Sequence, residues 1–171
     1  MPKQVIDPEK LVSQAYAIAS RDGISALSVR KVAAACGIAV GSVYGYFPTK
    51  ADLTAAVLTR FFEDNLSGEL CAVRPGERFT SYARRFREAL CAARADMSVD
   101  WFAEMRRLPG AEQQALEAVR APMLAHIERG LVRVFAADEA VDRCRLVGPM
   151  NAEALCRYVL RSIFASLMDG G

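Results

Sequence analysis

The sequence predicts an all-α protein: a three-helix domain joined by a fourth helix to a C-terminal antiparallel helical bundle. Three observations carry this. Apolar residues recur at helical spacing along most of the chain, and no stretch alternates as a strand does. A composition of 53% hydrophobic and 25% charged residues supplies a packed core and argues against disorder. Linker-like punctuation is confined to Ser67-Gly68 and Arg74-Pro75-Gly76, which divides the 171 residues into 5–66 and 70–171.

The first helix opens at Asp7-Pro8-Glu9, with Asp as N-cap, Pro at the first position and an acid in the first turn. Leu11, Ala15, Ile18 and Ala19 form its inner stripe, and Asp22-Gly23 closes it. Ile24 and Leu27 lead to Ser28, which is placed to cap the second helix. Val29, Val32, Ala33 and Cys36 are that helix's apolar face. Gly37 ends it in the left-handed conformation. Ile38 plugs the turn, and Val40 to Phe47 form about two helical turns stopped by Pro48. Thr49 and Asp52 have the spacing of a capping box for a fourth helix through Leu53, Val57, Leu58, Phe61 and Phe62 to about Leu66.

The second half reads as helix throughout. Glu77 to Ala95 puts Phe79, Tyr82, Ala83, Phe86, Leu90 and Ala93 on one face. Ser98 is placed to cap a short helix with Trp101, Phe102 and Met105, stopped by Pro109-Gly110. Ala111 to Ala136 is a long helix with Leu116, Val119, Met123, Ile127, Leu131 and Val134 inside and Pro122 kinking it. Asp138 to Leu146 reads as a short helix ended by Gly148-Pro149. Asn151 caps a last helix with Leu155, Tyr158, Val159, Ile163, Phe164 and Leu167 inward.

The third helix is odd for a core helix. Only Val43 and Phe47 look firmly buried, while Gly41, Ser42, Tyr44, Gly45 and Tyr46 are left to face outward. A short helix that anchors two residues and presents glycine, hydroxyl and aromatic groups is built to lie against something. In a helix-turn-helix that is the major groove of DNA.

The stretch Gly37 to Lys50, GIAVGSVYGYFPTK, followed by Ala51-Asp52-Leu53, resembles the DNA-binding signature of the TetR family of transcriptional regulators. Gly37, Ile38, Gly41, Ser42, Val43, Tyr44, Tyr46, Phe47, Lys50 and Leu53 fit the family pattern, as does Gly23 to Ala33 upstream. The likeness covers roughly the first 65 residues at motif level. It implies a ligand-responsive repressor that binds a palindromic operator as a dimer. Two recognition helices would then sit one helical turn apart, ~34–36 Å, and a ligand would change that spacing.

The residues support the same assignment by their chemistry. Gly41 lets the backbone approach the duplex. Ser42 suits a base edge or phosphate. Tyr44 and Tyr46 suit phosphates through their hydroxyls and sugar or thymine methyl through their rings, with Val40 on the same short helix. Lys50 adds a full charge at a helix N-terminus that already favours anions. Ser28, Arg30 and Lys31 open the second helix toward the flanking backbone. Ala39, Val40 and Gly45 depart from relatives that carry polar, basic or aromatic residues there, so the operator is not legible.

Charge agrees in sign. Residues 1–62 hold seven Lys/Arg against four Asp/Glu, and the remainder 15 against 16. Tyr82, Phe86, Trp101, Phe102, Met105, Met123, His126 and Tyr158 are candidate lining residues for a small apolar or aromatic effector, or simply bundle core. Arg84, Arg85 or Arg87 would pair an anionic group on it. Cys36, Cys71, Cys91, Cys144 and Cys156 have no CxxC spacing and the one histidine is His126, so no metal or cofactor is expected. The thiols read as small core residues, with redox sensing the alternative. No nucleophile–base pair or phosphate loop suggests an enzyme. No membrane span or signal segment is apparent, so a cytoplasmic location is expected.

Two alternatives stay open: a helical protein–protein interaction module, and an activator or constitutive DNA binder without ligand. Dimers of the family pair their last two long helices. Counting makes Asn151 to Met168 the first of these and leaves no residues for the second. Either 138–146 substitutes or the dimer forms differently, with Leu155, Val159, Ile163, Phe164 and Leu167 as the expected contacts.

Overall fold

The computed structural model describes residues 7–66, 72–95, 99–146 and 151–168. Among them are eight α-helices and no strand. The helices are α1 (Pro8–Asp22), α2 (Val29–Cys36), α3 (Val40–Tyr44), α4 (Lys50–Leu66), α5 (Phe79–Ala95), α6 (Trp101–Met105), α7 (Gly110–Ala137) and α8 (Ala152–Met168). The all-helical class is as expected. Ser67-Gly68, Cys71, Ser98 and Gly148-Pro149, each given a role above, lie outside the described residues.

The chain forms two compact units. The first is Met1–Asp64 with Asp96–Val119, the second Asn65–Ala95 with Arg120–Gly171. Helix α7 supplies its start to one and its remainder to the other.

In the first unit the local signals act as their chemistry dictates. Asp7 accepts from the Glu9 N–H at 3.0 Å and Ser28 from the Lys31 N–H at 3.2 Å. Gly37 sits at φ 67°, ψ 33°, the left-handed cap that a side chain would strain. The capping box forms in both directions: the Thr49 N–H donates to Asp52 at 2.9 Å and the Asp52 N–H to Thr49 Oγ1 at 3.1 Å. Leu11, Ala15, Val32, Val43, Leu53, Val57, Leu58 and Phe61 are buried together with Trp101.

That tryptophan is an integral part of the unit. Its ring lies 5.5 Å from Tyr16 and 5.0 Å from Phe61 between centroids, and its Nε1–H donates to the Ala19 carbonyl. The cap of α6 is Asp100, accepting from Ala103 at 3.0 Å. One turn along, Glu104 accepts from the Ile24 N–H and the Ser25 hydroxyl. The turn after α1 therefore closes on a carboxylate some eighty residues away in sequence. Gly23, at φ 93°, leaves room for it: a Cβ there would lie 2.5 Å from a Glu104 oxygen.

In the second unit Tyr82, Phe86 and Leu90 of α5, Ile127, Leu131 and Val134 of α7, and Cys156, Leu160, Ile163 and Leu167 of α8 are buried. Arg85 binds Glu77 at 2.9 Å and stacks over Tyr82, 5.0 Å from its ring centre, so it is spent within the unit. Asn151 caps α8 by accepting from the Ala154 N–H at 2.8 Å.

Three expectations are corrected here. Residues 138–146 are not a helix; only Arg143–Arg145 turn as a 3-10 segment. The Asp138 carboxylate is taken by the Phe79 and Ala140 N–H groups, which hold it below the usual carboxylate range. The Arg143 guanidinium donates to the Phe135, Ala136 and Asp138 carbonyls at the end of α7. These side-chain bonds to the backbone displace a helical path. Tyr158, expected inward, is 65% exposed. The buried face of α8 runs through Cys156, Leu160, Ile163 and Leu167, which turns Tyr158 outward. The thiols differ too: Cys156 is buried, Cys36 and Cys91 half-buried and Cys144 exposed. Burial pushes the Cys156 thiol up to about 11, which makes it a poor nucleophile.

Candidate nucleic-acid interface

The candidate interface residues lie on α2, α3 and the start of α4. Helix α3 ends at Tyr44, earlier than the expected Phe47, and Gly45 to Phe47 continue as turns. The Gly45 N–H reaches the Gly41 carbonyl at 3.2 Å and the Phe47 N–H the Val43 carbonyl at 2.9 Å. Glycine at 45 and proline at 48, which disfavours helix at Phe47, account for the early stop. Ala39 offers no side-chain cap.

Val43 is fully buried and Phe47 nearly so, which pins this stretch. Tyr44 is 50% exposed, Tyr46 41% and Val40 36%. Gly41 is exposed, and a Cβ there would meet nothing within 4 Å, so the surface beside it is open. Ser42 is half-buried. Arg30 and Lys31 are exposed at the start of α2, beside Ser28 whose oxygen caps that helix. Its hydroxyl proton stays available to an acceptor.

Lys50 is different. Its ammonium lies 3.3 Å from Glu112 Oε1, and Glu112 is buried. Nothing local in the sequence signals this partner, which sits in the first turn of α7.

The eight candidate lining residues are not alike. Trp101, Phe102 and Met105 are buried in the core of the first unit, and Tyr82 and Phe86 in that of the second. Met123 is half-buried, His126 exposed and Tyr158 exposed. In the second unit a groove of about 630 Å³ is lined by His126, Glu128, Arg129, Arg133, Glu153 and Arg157, among others. Arg157 grips Glu128 at 2.9 Å. His126 is the one candidate on it, and its walls are charged rather than aromatic. Among the described residues no His, Cys, Asp or Glu cluster could hold a metal ion, and no helix is long and apolar enough to cross a membrane.

Residues 11–57 match the family described as bacterial regulatory proteins, tetR family. Over that stretch, which holds α2 and α3, the chain is similar to the TetR family. The HTH-type transcriptional repressor KstR of Mycolicibacterium smegmatis is 40% identical over 55 residues, 32% of this chain and 27% of that protein. KstR of Rhodococcus jostii is 38% identical over 55 residues, 32% of this chain and 26% of that protein. The match thus spans about a quarter of the length of these relatives. A transcriptional regulator from Rhodococcus sp. Rha1 shares the fold at TM-score 0.68 and 22% identity, over 96% of this chain and 83% of that one. BioQ of Mycobacterium smegmatis does so at TM-score 0.62 and 18% identity, over 96% and 83%. Those last two likenesses concern the fold alone.

Proposed function

We propose that this chain is a DNA-binding transcriptional regulator, a ligand-responsive repressor that holds a palindromic operator as a dimer through the helix-turn-helix at 28–47. The observation that carries the reading is α3: pinned by Val43 and Phe47, with Val40, Gly41, Tyr44 and Tyr46 exposed. Ser42 reads base or phosphate, and Ser28, Arg30, Lys31 and Lys50 take the flanking phosphates. Residues 5–66 bind DNA, and 70–171 serve effector binding and dimerisation. The charged groove, where Arg129 and Arg133 stand beside the Arg157–Glu128 pair and Glu153, favours a polar effector over a wholly apolar one. Gel shifts against the DNA upstream of its own gene, over a salt series, test the reading. Binding that falls steeply with salt supports it, and no binding at low salt leaves the interaction-module alternative.

Lys50→Ala should weaken binding to all sequences alike and lower the slope of log affinity against log salt by up to about one unit. An unchanged slope would place this lysine away from the phosphates.

A homodimer is expected because one helix-turn-helix reads only a half-site. Ile163 and Leu167 are buried within the chain's own core, whereas Leu155, Val159 and Phe164 are half-buried and Tyr158 exposed. Those four are the residues left for a partner. Sedimentation equilibrium at micromolar concentration should show a dimer that Tyr158→Glu weakens. A strict monomer, on DNA as well as off it, would remove the dimeric mode.

A further inference from the structure

We infer that Glu112 competes with operator phosphate for Lys50 and so lowers the affinity of the chain for DNA; this rests on the regulator reading above. Lys50 is the first residue of the 17-residue α4, whose N-terminal end carries positive potential, and the Asp52 carboxylate in the same turn is taken up by the Thr49 N–H and hydroxyl. A cation at that end is stabilised only if an anion comes to it. In the free chain the anion is supplied internally: Glu112 Oε1 stands 3.3 Å from the ammonium.

The two partners are unequally placed. The Lys50 side chain is 39% exposed, so phosphate can reach it from solvent. The Glu112 side chain is 10% exposed, fixed in the first turn of α7. A buried carboxylate needs its cation more than an exposed ammonium needs its carboxylate. A phosphate that draws Lys50 outward therefore leaves Glu112 less compensated. A phosphate that approaches without moving Lys50 meets the carboxylate's negative charge. Both routes cost affinity. Had Glu112 been exposed and remote from the helix end, it would only have screened the lysine weakly.

The alternative is that Glu112 holds Lys50 in the pose phosphate needs. The two roles predict opposite signs when the charge is removed. Glu112→Gln keeps the shape and a hydrogen-bond acceptor while deleting the charge. The measurement is fluorescence anisotropy of labelled upstream duplex with the full-length chain, wild type against Glu112→Gln, Lys50→Ala and the double variant. Glu112→Gln should bind about fivefold more tightly at low salt, the equivalent of roughly 1 kcal/mol, with the gain fading as salt rises. In the Lys50→Ala background the same change should alter affinity by less than about twofold, because the competition is gone. Should Glu112→Gln lose its cooperative thermal transition, Glu112→Asp reads the same question, since its shorter carboxylate reaches Lys50 less well and should also tighten binding. Weaker or unchanged binding by a folded Glu112 variant overturns the competition, as does an equal gain with and without Lys50. Absence of DNA binding by every protein, wild type included, is distinct from these results: it removes the regulator reading and the competition with it.

Discussion

Trp101→Ala should lower the unfolding free energy by about 3–5 kcal/mol, measured by urea denaturation followed by circular dichroism. The indole is fully buried in the first unit, flanked by Tyr16 and Phe61. Two losses compete for the cause. The Nε1–H bond to the Ala19 carbonyl, 3.2 Å long, goes. That carbonyl still accepts from the Gly23 N–H at 2.8 Å, so it is not orphaned, and the bond accounts for about 1 kcal/mol. The void left by the ring dominates. Trp101→Phe keeps most of the volume and should cost clearly less. A loss below about 1 kcal/mol for the alanine variant would mean that α6 is not part of this core.

Tyr44→Ala should do the reverse: leave the fold intact and weaken operator binding at least tenfold, about 1.4 kcal/mol. Half of Tyr44 is open to solvent, while Val43 and Phe47 keep α3 in place. Alanine also has the better helix propensity, so stability should move by no more than about 0.5 kcal/mol. On the proposed reading, the affinity loss would come from removing a ring and a hydroxyl placed to meet the groove. A stability loss near 3 kcal/mol would make Tyr44 a core residue and sink its assignment to the groove.

The sequence was most legible where structure is written within a few residues. Asp7, Ser28, Gly37, Thr49 with Asp52, and Asn151 all cap as expected, because each acts on backbone groups no more than three or four positions away. The exposed α3 face was legible for the same reason: glycine, serine and tyrosine there leave only two anchors. What was hidden depends on residues distant in the chain. Glu112 at Lys50 and Glu104 at the turn after α1 carry no local pattern. The stretch 138–146 has helical composition, yet its Asp and Arg bond to the ends of α5 and α7 instead. On α8 Ile163 and Leu167 are buried as expected, but the first half of the stripe runs through Cys156 and Leu160, one position on from Leu155 and Val159. A cysteine at 156 weighs little as an apolar residue but is the one buried, and that offset put Tyr158 on the wrong face. The aromatic wall was illegible in principle, since a buried ring in a core and one at a cavity look the same in sequence.

The chain has one tryptophan, and it is the fully buried Trp101. Its emission is therefore that of an indole shielded from water, short in wavelength and inaccessible to iodide. The light comes from the unit that carries α2 and α3, so the chain holds its own optical probe there. A non-absorbing small molecule that disturbs the packing of Trp101 against Tyr16 and Phe61 should shift or quench this emission. Titrating candidate effectors against this one signal thus reports what happens to the first unit, without any label attached.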